Sequence, residues 1–264
     1  MKAGICGISG RMGQAIFRLL LEKGHDLTAA FDAESSGYIG KKAGQFVHRD
    51  DIPTVISLIN PQSLSGTDTV IDFSSPGASL SLLNAARNAG KALVIGTTGF
   101  SDREKKQIEE ASSVIPIVFS PNMSVGVNLL FKLTEMASSL LQDGYDIEVF
   151  EAHHKFKKDA PSGTAKKLLE IIKDNVPRLK SAPERADRTG ILGERPGDEI
   201  GVMVMRGGDI VGEHTVFFVG MGERIELTHR ALNRDNLARG AVLAAEFLQG
   251  KQPGLYTMFD VLGL

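Results

Sequence analysis

Short apolar runs alternate with stretches of helical periodicity through about the first hundred residues. Between the first two runs, apolar residues recur every three or four positions from Met12 to Leu20, which predicts an amphipathic helix. Later, Ser101 and Glu104 have the spacing of a capping box that opens a helix. The alternation indicates a parallel sheet covered by helices on both faces. We predict strands at residues 3–8, 27–31, 70–73, 92–95 and 115–119.

The pattern changes after residue 124. It predicts an apolar helix over 125–141, a strand near 147–150 and a helix from about Thr164. Beyond Pro177, a polar stretch rich in Pro and Gly leads to further β-rich runs. Because Gly-rich turns separate these runs, at 200–205, 210–219 and 225–228, we predict antiparallel strands. A last amphipathic helix, near 234–249, is expected to return to the first domain.

Composition narrows the class of protein. Of the 264 residues, 42% are hydrophobic and 23% are charged, so the chain has enough apolar residues for a substantial core. A formal charge of −2 provides no global attraction to nucleic acid or to an anionic membrane. The single cysteine, Cys6, cannot form an intrachain disulfide, which favours the cytoplasm. We also expect a soluble, unexported protein, because no signal peptide and no run of 18 apolar residues is present.

A glycine-rich turn lies between the first predicted strand and the first predicted helix. It comprises Gly7, Ile8, Ser9, Gly10, Arg11, Met12 and Gly13. At that place, backbone N–H groups and the helix dipole can meet the pyrophosphate of a dinucleotide. The spacing departs from G-x-G-x-x-G because Ser9 occupies the second glycine position. A tight turn that binds nothing is the alternative interpretation.

Asp32 strengthens the dinucleotide interpretation. It ends the second predicted strand, 19 residues after Gly13, where an acidic side chain accepts hydrogen bonds from the adenosine ribose. A solvated turn residue is the alternative. Two further loops follow predicted strands at the carboxyl edge of the sheet and are candidates for the nicotinamide side. Their candidate residues are Gly96, Thr97, Thr98, Ser120, Pro121, Asn122 and Met123.

A charged loop, residues 151–164, precedes the helix expected near Thr164. His153 and His154 can transfer protons near neutral pH, and Lys157 offers positive charge to a carboxylate. Gly163 and Thr164 open the helix, so their N–H groups form a second potential anion site. The alternative is an ordinary wet surface. We expect no metal site, because no further Cys or His nearby completes a ligand set.

Sequence blocks along the whole chain resemble a known family. They are Gly7-x-x-Gly10-Arg11-Met12-Gly13, 94–100 (Val-Ile-Gly-Thr-Thr-Gly-Phe), 121–128 (Pro-Asn-Met-Ser-Val-Gly-Val-Asn), 151–165 (from Glu-Ala-His-His to Ser-Gly-Thr-Ala) and 208–215 (Gly-Asp-Ile-Val-Gly-Glu-His-Thr). Together they resemble the dihydrodipicolinate reductases, also called 4-hydroxy-tetrahydrodipicolinate reductases. The block at 151–165 is highly specific.

The resemblance implies an α/β protein with two domains. A Rossmann-type dinucleotide-binding domain would comprise residues 1–124 and 234–264, and a mixed α/β domain, 125–233, would bind substrate and build a homotetramer. It further implies that NADH or NADPH delivers hydride to a cyclic unsaturated imine bearing two carboxylates, forming tetrahydrodipicolinate in lysine and diaminopimelate biosynthesis. His153 would act as general acid or base and Lys157 as a proton donor. The substrate would be held by His154, Lys157, Gly163 and Thr164.

One position departs from the family pattern. Ala33 follows Asp32, whereas the members that use NADPH well resemble one another in having an arginine there. Asp32 would also repel a 2′-phosphate, although Arg11, Lys41 or Lys42 are candidates to compensate. Two other functions stay open from the residues alone. They are another two-domain Rossmann oxidoreductase, such as a semialdehyde or homoserine dehydrogenase, and a non-catalytic sensor of the dinucleotide.

Overall fold

The chain divides into two units that are joined at two points. A computed structural model describes residues 1–233 and 235–264. Unit 1 comprises Met1–Val125 and Arg234–Leu264, and unit 2 comprises Gly126–Asn233. Arg234, where the predicted return to the first domain begins, lies outside the described residues.

Unit 1 is built around a parallel sheet. The strands are β1 (Lys2–Cys6), β2 (Asp26–Phe31), β3 (Ile56–Ser57), β4 (Thr69–Asp72), β5 (Ala92–Ile95), β6 (Pro116–Phe119) and β12 (Gly254–Tyr256). Its helices are α1 (Arg11–Glu22), α2 (Pro76–Ala89), α3 (Asp102–Ser112), α6 (Asp235–Phe247) and α7 (Met258–Leu262). Short 3₁₀ turns lie at Glu34–Ser36, Ala43–Val47 and Pro61–Leu64.

Strand order explains where a ligand would bind in unit 1. Within the described residues the order is β12-β6-β5-β4-β1-β2-β3, and the neighbouring strands are parallel. The chain runs outward from β1 to β3 and then returns to β4 on the other side of β1. Such a reversal leaves a crevice at the carboxyl ends of β1 and β4, the usual ligand site of a Rossmann-type sheet.

Two apolar layers cover this sheet. Buried residues of α1 and α6, among them Ile16, Leu20 and Ala241, pack on one face. Leu82 of α2 and Ile108 of α3 pack on the other. Strands β4 and β5 are buried along their whole length, as expected for central strands that are covered on both sides. The capping box at Ser101 and Glu104 is present and opens α3.

Unit 2 holds a mixed sheet. Its elements are α4 (Val125–Leu140, whose first residue belongs to unit 1), β7 (Tyr145–His153), α5 (Gly163–Asn175), β8 (Glu184–Arg185), β9 (Ile200–Arg206), β10 (Gly212–Gly220) and β11 (Glu223–Ala231), with a 3₁₀ turn at Pro177–Leu179. In the described part of the chain the strand order is β11-β10-β7-β9-β8. Strand β10 is antiparallel to β7 and β11, whereas β9 is parallel to β7 and β8.

The prediction of three antiparallel strands at 200–228 is therefore only partly right. β10 and β11 form the expected hairpin across Gly220, Met221 and Gly222. β9 instead crosses to the far side of β7 and runs parallel to it. The turn at Gly207 and Gly208 is thus a crossover and not a hairpin. No described helix is long and apolar enough to cross a membrane.

Candidate active site

The turn after β1 brings the backbone very close to neighbouring segments. Gly7 has φ of +80°, a conformation that side chains disfavour, and a Cβ there would lie 2.7 Å from the carbonyl oxygen of Phe73. A Cβ on Gly13 would lie 2.2 Å from the Gly7 carbonyl oxygen. Helix α1 begins at Arg11 after Gly10, with no side-chain cap. The first turn of α1 therefore presents its N–H groups without a competing side chain from this position.

Asp32 closes the turn from the end of β2. Its Oδ2 accepts a 2.8 Å hydrogen bond from the N–H of Ser9, and its Oδ1 accepts one of 2.8 Å from the N–H of Ala33. Each carboxylate oxygen has a second lone pair, so both remain able to accept a ligand hydroxyl. The glycine turn and Asp32, the two sequence features that favoured a dinucleotide, are thus hydrogen-bonded to each other.

A cavity of about 550 Å³ lies over this turn. It is lined by Gly7, Ser9 and Gly10 of the turn, by Asp32 and Ala33 after β2, and by residues 73–75 after β4. The cavity sits at the strand reversal described above and falls in the size range of small-molecule sites. Ile8 is fully buried beneath the turn, Met12 is half-buried and Arg11 is exposed.

Asp72 organises the loops beside the cavity, although sequence analysis did not single it out. It is fully buried and accepts hydrogen bonds from the hydroxyls of Ser74 (2.5 Å), Ser79 and Thr97 (2.9 Å). The Thr97 hydroxyl in turn accepts the N–H of Ser74 at 2.9 Å. Burial raises the pKa of Asp72, and the three hydroxyls act against that rise. Thr97 therefore links the loop after β5 to the loop after β4 through hydrogen bonds.

The other candidates for the nicotinamide side occupy varied positions. Gly96 packs against the ring of Phe73, and Thr98 is exposed. The Ser120 hydroxyl donates to the Asn122 carbonyl at 2.9 Å, and the Asn122 side chain accepts the N–H of Ser124 at 2.9 Å. The remaining two members of this loop differ in exposure: Pro121 is exposed, whereas Met123 is buried in the core.

The glycine turn fits a dinucleotide pyrophosphate. Side chains are excluded at Gly7 and Gly13 by close backbone contacts, and the start of α1 is uncapped by a side chain. Asp32, directly after β2, lies beside the turn, where its carboxylate can accept hydrogen bonds from the ribose of a dinucleotide. Cys6 is buried, and burial raises the pKa of its thiol far above the usual value, so it is no nucleophile.

In unit 2, His153 ends β7 beside a buried carboxylate. Its Nδ1 lies 2.6 Å from Oε2 of Glu151, whose side chain is fully buried. Arg206, at the end of β9, donates to both oxygens of Glu151 at 2.9 and 2.8 Å. The N–H of Ser162 donates to Oε1 at 3.1 Å. Glu151 therefore ties His153, β9 and the start of α5 together.

Burial and charge shift the pKa of both partners. Burial lowers the pKa of His153, and the positive charges of Lys157 and Arg206 lower it further, while Glu151 acts in the opposite direction. For Glu151, burial favours the neutral acid, but the hydrogen bonds and charges of Arg206 and His153 outweigh it and lower its pKa. Glu151 is therefore ionised at neutral pH.

His214 forms a second buried contact behind the same helix start. Its Nε2 lies 3.0 Å from the hydroxyl of Ser162, and its ring meets that of His153 edge-on at 5.2 Å. Burial lowers the pKa of His214 to about 3, with a further contribution from the charge of His153. His214 is therefore neutral and supports Ser162, whose hydroxyl also accepts the N–H of Ala165 and caps α5.

The predicted substrate residues lie in the first turn of α5 or in the loop that precedes it. The Nζ of Lys157 bonds Oδ1 of Asp159 at 2.9 Å, and Lys157 is half-buried, whereas Lys155 and Lys158 are exposed. His154 packs near Phe156, with ring centroids 6.2 Å apart. Gly163 begins α5, and a Cβ placed there meets no atom within 4 Å. Thr164 follows it in the first helical turn.

Comparison with known proteins decides the family. The model for dihydrodipicolinate reductase, N-terminus, matches residues 1–123, and the model for dihydrodipicolinate reductase, C-terminus, matches residues 126–262. The chain belongs to the dihydrodipicolinate reductase family. The family resemblance seen in the sequence is confirmed, as is the predicted Rossmann-type α/β fold with a second mixed sheet.

Relatives in this family match over their full length. A 4-hydroxy-tetrahydrodipicolinate reductase of Anaeromyxobacter dehalogenans (strain 2CP-1 / ATCC BAA-258) is 48% identical, covering 100% of this chain and 98% of that protein. One from Syntrophotalea carbinolica is 46% identical, covering 100% and 99%. The solved structure of a dipicolinate-bound dihydrodipicolinate reductase from Paenisporosarcina sp. TG-14 has 22% identity and a TM-score of 0.79, covering 98% of each chain, and so shares the fold.

Three residues of the candidate site in unit 2 escaped sequence reasoning. Glu151 stood in a recognised block but received no role, and Arg206 and His214 were not considered as site residues. Glu151 carried one usable signal, since it lies two positions before His153 and so shares its face of a strand. Arg206 and His214 follow Glu151 by 55 and 63 residues, and only the sheet register brings them together.

Proposed function

We propose that this chain reduces 4-hydroxy-tetrahydrodipicolinate to tetrahydrodipicolinate with NADH or NADPH, in lysine and diaminopimelate biosynthesis. One observation carries the proposal for this chain's own residues. His153 and the N–H of Ser162, the N-cap of α5, both contact one buried carboxylate, Glu151, and the positive charge of Lys157 acts on His153. This supplies a titratable imidazole, an ammonium group and a helix N-terminus, which suit a reaction on a ring with two carboxylates.

The cofactor would be held by unit 1. The glycine turn and the start of α1 would hold the pyrophosphate through backbone N–H groups. The residues proposed for this contact are Gly7, Ile8, Ser9, Gly10, Arg11 and Met12. Asp32 would accept hydrogen bonds from the adenosine ribose hydroxyls. The segments at Gly96, Thr97 and Thr98 and at Ser120, Pro121, Asn122 and Met123 are proposed for the nicotinamide side. When bound, the reduced nicotinamide supplies hydride.

The substrate would be held by unit 2 through two different anion sites. Lys157 and His154 offer side-chain charge and hydrogen bonds to one carboxylate. Gly163 and Thr164 offer backbone N–H groups at a helix N-terminus to the other, where the dipole contributes about 0.3 to 1 kcal/mol. Gly163 has room for this approach, since even an added Cβ meets no atom within 4 Å.

His153 would transfer the proton that accompanies hydride addition. The 4-hydroxyl group of the precursor leaves as water to give the cyclic unsaturated imine, which then gains one hydride and one proton to give tetrahydrodipicolinate, so a positioned acid is needed. His153 has Nδ1 on Glu151, which leaves Nε2 to hold the proton. Lys157 is proposed as a second donor, because its charge lies close enough to lower the pKa of His153.

A homotetramer in the cytoplasm completes the proposal. Met203, Met205 and Val219 lie on one face of the unit 2 sheet and are 46%, 43% and 36% exposed, which supports a further layer against that face. The single cysteine supports a reducing compartment. Light scattering after size-exclusion chromatography should give four times the mass of the 28.4 kDa chain, and a monomer would contradict the tetramer.

Turnover tests the reaction itself. Freshly prepared 4-hydroxy-tetrahydrodipicolinate should cause oxidation of NADH or NADPH by the protein, followed as loss of absorbance of the reduced cofactor. Aspartate semialdehyde and homoserine, with the appropriate cofactor form, serve as comparison substrates. Turnover of either of these without turnover of the cyclic precursor would contradict the proposal.

A further inference from the structure

The carboxylate of Glu151 is saturated with hydrogen-bond donors. Oε1 accepts from Ser162 N–H and from one Arg206 nitrogen, and Oε2 lies against the other Arg206 nitrogen and Nδ1 of His153. A carboxylate has about four acceptor positions, so every position is used. The side chain is fully buried, and its charge is compensated by Arg206. A carboxylate held in this way cannot rotate away from His153.

This contact determines which nitrogen of His153 carries a hydrogen. An ionised carboxylate only accepts hydrogen bonds, so Nδ1 of His153 must be the donor at 2.6 Å. In the neutral imidazole Nε2 then has the lone pair, and in the imidazolium Nε2–H is the proton that can leave. The alternative tautomer would place two lone pairs against each other and lose the hydrogen bond.

Gly212 leaves space beside the nitrogen that remains. It lies at the start of β10, next to the end of β7, where a Cβ would approach Nε2 of His153 to 3.1 Å and Cδ2 to 3.5 Å. Any side chain at 212 would therefore crowd the very atom that exchanges the proton. Gly212 has no positive φ, so local backbone conformation does not explain a glycine there.

We propose that Glu151, clamped by Arg206, is a positioning residue that fixes the Nδ1–H form of His153, and that Gly212 keeps Nε2 open to the substrate. This inference rests on the proposed function, because it assigns the device that prepares its acid. Neither residue is proposed to touch the substrate. Their effect on the reaction passes through His153.

The charges around His153 predict how Glu151→Gln acts. The charged groups that face His153 are Glu151 on its own strand, Arg206 from β9 and Lys157 from the loop, and His214 from β10 is neutral. Glu151 alone among them raises the pKa of His153. Without the negative charge of Glu151, the pKa of His153 falls. As pH rises, the imidazolium form of His153 is then lost at a lower pH than in the wild type.

Steady-state kinetics with Glu151→Gln form the first test. We expect kcat to fall by at least about tenfold, and the alkaline limb of its pH profile to move down by about one pH unit, with the KM of the cofactor unchanged. Glu148→Gln is the matched control, since Glu148 lies on the same strand and pairs with Arg188 and Arg195. It should lower Tm without moving the pH profile.

A double variant separates positioning from folding. Glu151→Gln alone leaves Arg206 uncompensated, whereas Glu151→Gln with Arg206→Gln removes both charges and should recover Tm. We expect kcat to stay low in the double variant. Recovery of both Tm and kcat would show that Glu151 is only structural. Gly212→Ala should lower kcat with little change in Tm, and an unaltered kcat would overturn the role of Gly212.

Nitrogen-15 NMR of the cofactor-free protein tests the tautomer without any turnover. The chain has six histidines, so His153→Gln assigns the His153 signals by difference. We expect the Nδ1–H form in the wild type and in Glu148→Gln, and a mixture of tautomers in Glu151→Gln. An Nε2–H form in the wild type would overturn the inference. Wild-type protein that fails to turn over the precursor, yet shows the Nδ1–H form, would contradict the proposed function alone.

Discussion

The backbone N–H of Ser9 donates a 2.8 Å hydrogen bond to Oδ2 of Asp32. It joins the glycine turn after β1 to the carboxyl end of β2 and holds an acidic group at the rim of the cavity. Ala33, beside it, has no group to offer a 2′-phosphate. The cavity wall does not include Arg11, Lys41 or Lys42. The Nζ of Lys41 lies 5.0 Å from the ring centroid of Tyr38.

We therefore expect the protein to bind NADH at least as well as NADPH. Fluorescence titration of both cofactors at physiological salt measures this. Ala33→Arg should tighten NADPH by about tenfold through a charge-assisted contact, while Ala33→Met, of similar length and uncharged, should not. A strong NADPH preference in the wild type would show that the cationic side chains compensate after all.

His153→Gln should separate chemistry from cofactor binding. We expect kcat to fall about a hundredfold or more, because a positioned proton-transfer group is lost, and the Kd of NADH to stay unchanged. His25→Gln is the control, since His25 lies in unit 1 and bonds Glu246 at 2.8 Å. If kcat of His153→Gln stayed within a few-fold of wild type, the proton would have to come from another group.

Two anion sites predict selectivity among inhibitors. Pyridine-2,6-dicarboxylate, which is planar and does not accept hydride, should compete with substrate, and pyridine-2-carboxylate should bind far more weakly. Gly163→Val should weaken the dicarboxylate by filling the approach to the helix N-terminus. Lys157→Ala should weaken it by losing charge and should slow the chemistry as well. Inhibition constants measure both effects, and equal inhibition by the two pyridines would refute the model.

Acid should destabilise the fold through His214. Burial lowers its pKa from the ordinary histidine value of 6.5 to about 3, so between these values the unfolded chain binds a proton that the folded chain does not. The stabilisation is complete above pH 6.5 and declines as pH falls toward 3. Urea unfolding at pH 7.5 and pH 5 should show a loss for the wild type.

The matched variant for this effect is His214→Gln. It should be less stable at pH 7.5 but lose less of its free energy of unfolding at pH 5, by up to about 1.4 kcal/mol per pH unit for one proton. His153 and His229 also have lowered pKa values and contribute the remainder. An identical pH dependence for the variant and the wild type would show that His214 does not contribute.

Local patterns were enough to predict most of the elements of unit 1. The strand at 92–95 and the capping box at Ser101 depend on neighbouring residues only, and both are present as predicted. Strands β3 and β12 were missed because they have two and three residues, too few for a periodic signal. The pairing of β9 with β7 was also missed, because apolar alternation does not reveal which strand is its neighbour.

In the candidate site too, local sequence spacing was enough to predict some residues, whereas residues brought together by long-range contacts were missed. Asp32 was recognised because its spacing from the glycine turn is a local property. The partners of Glu151 were not, because Arg206 and Ser162 reach it only through the register of β7 with β9 and the start of α5. The tautomer of His153 and the open space at Gly212 likewise depend on contacts between distant segments and have no sequence pattern.

Isotope transfer tests the central claim most directly. The protein is supplied with 4-hydroxy-tetrahydrodipicolinate and with NADH carrying deuterium at both C4 positions of the nicotinamide, and the product is analysed by mass spectrometry. We predict tetrahydrodipicolinate that has gained one deuterium from the cofactor in wild-type reactions, and far less product with His153→Gln. Wild-type product without deuterium, or no cofactor oxidation with this precursor, would contradict the account.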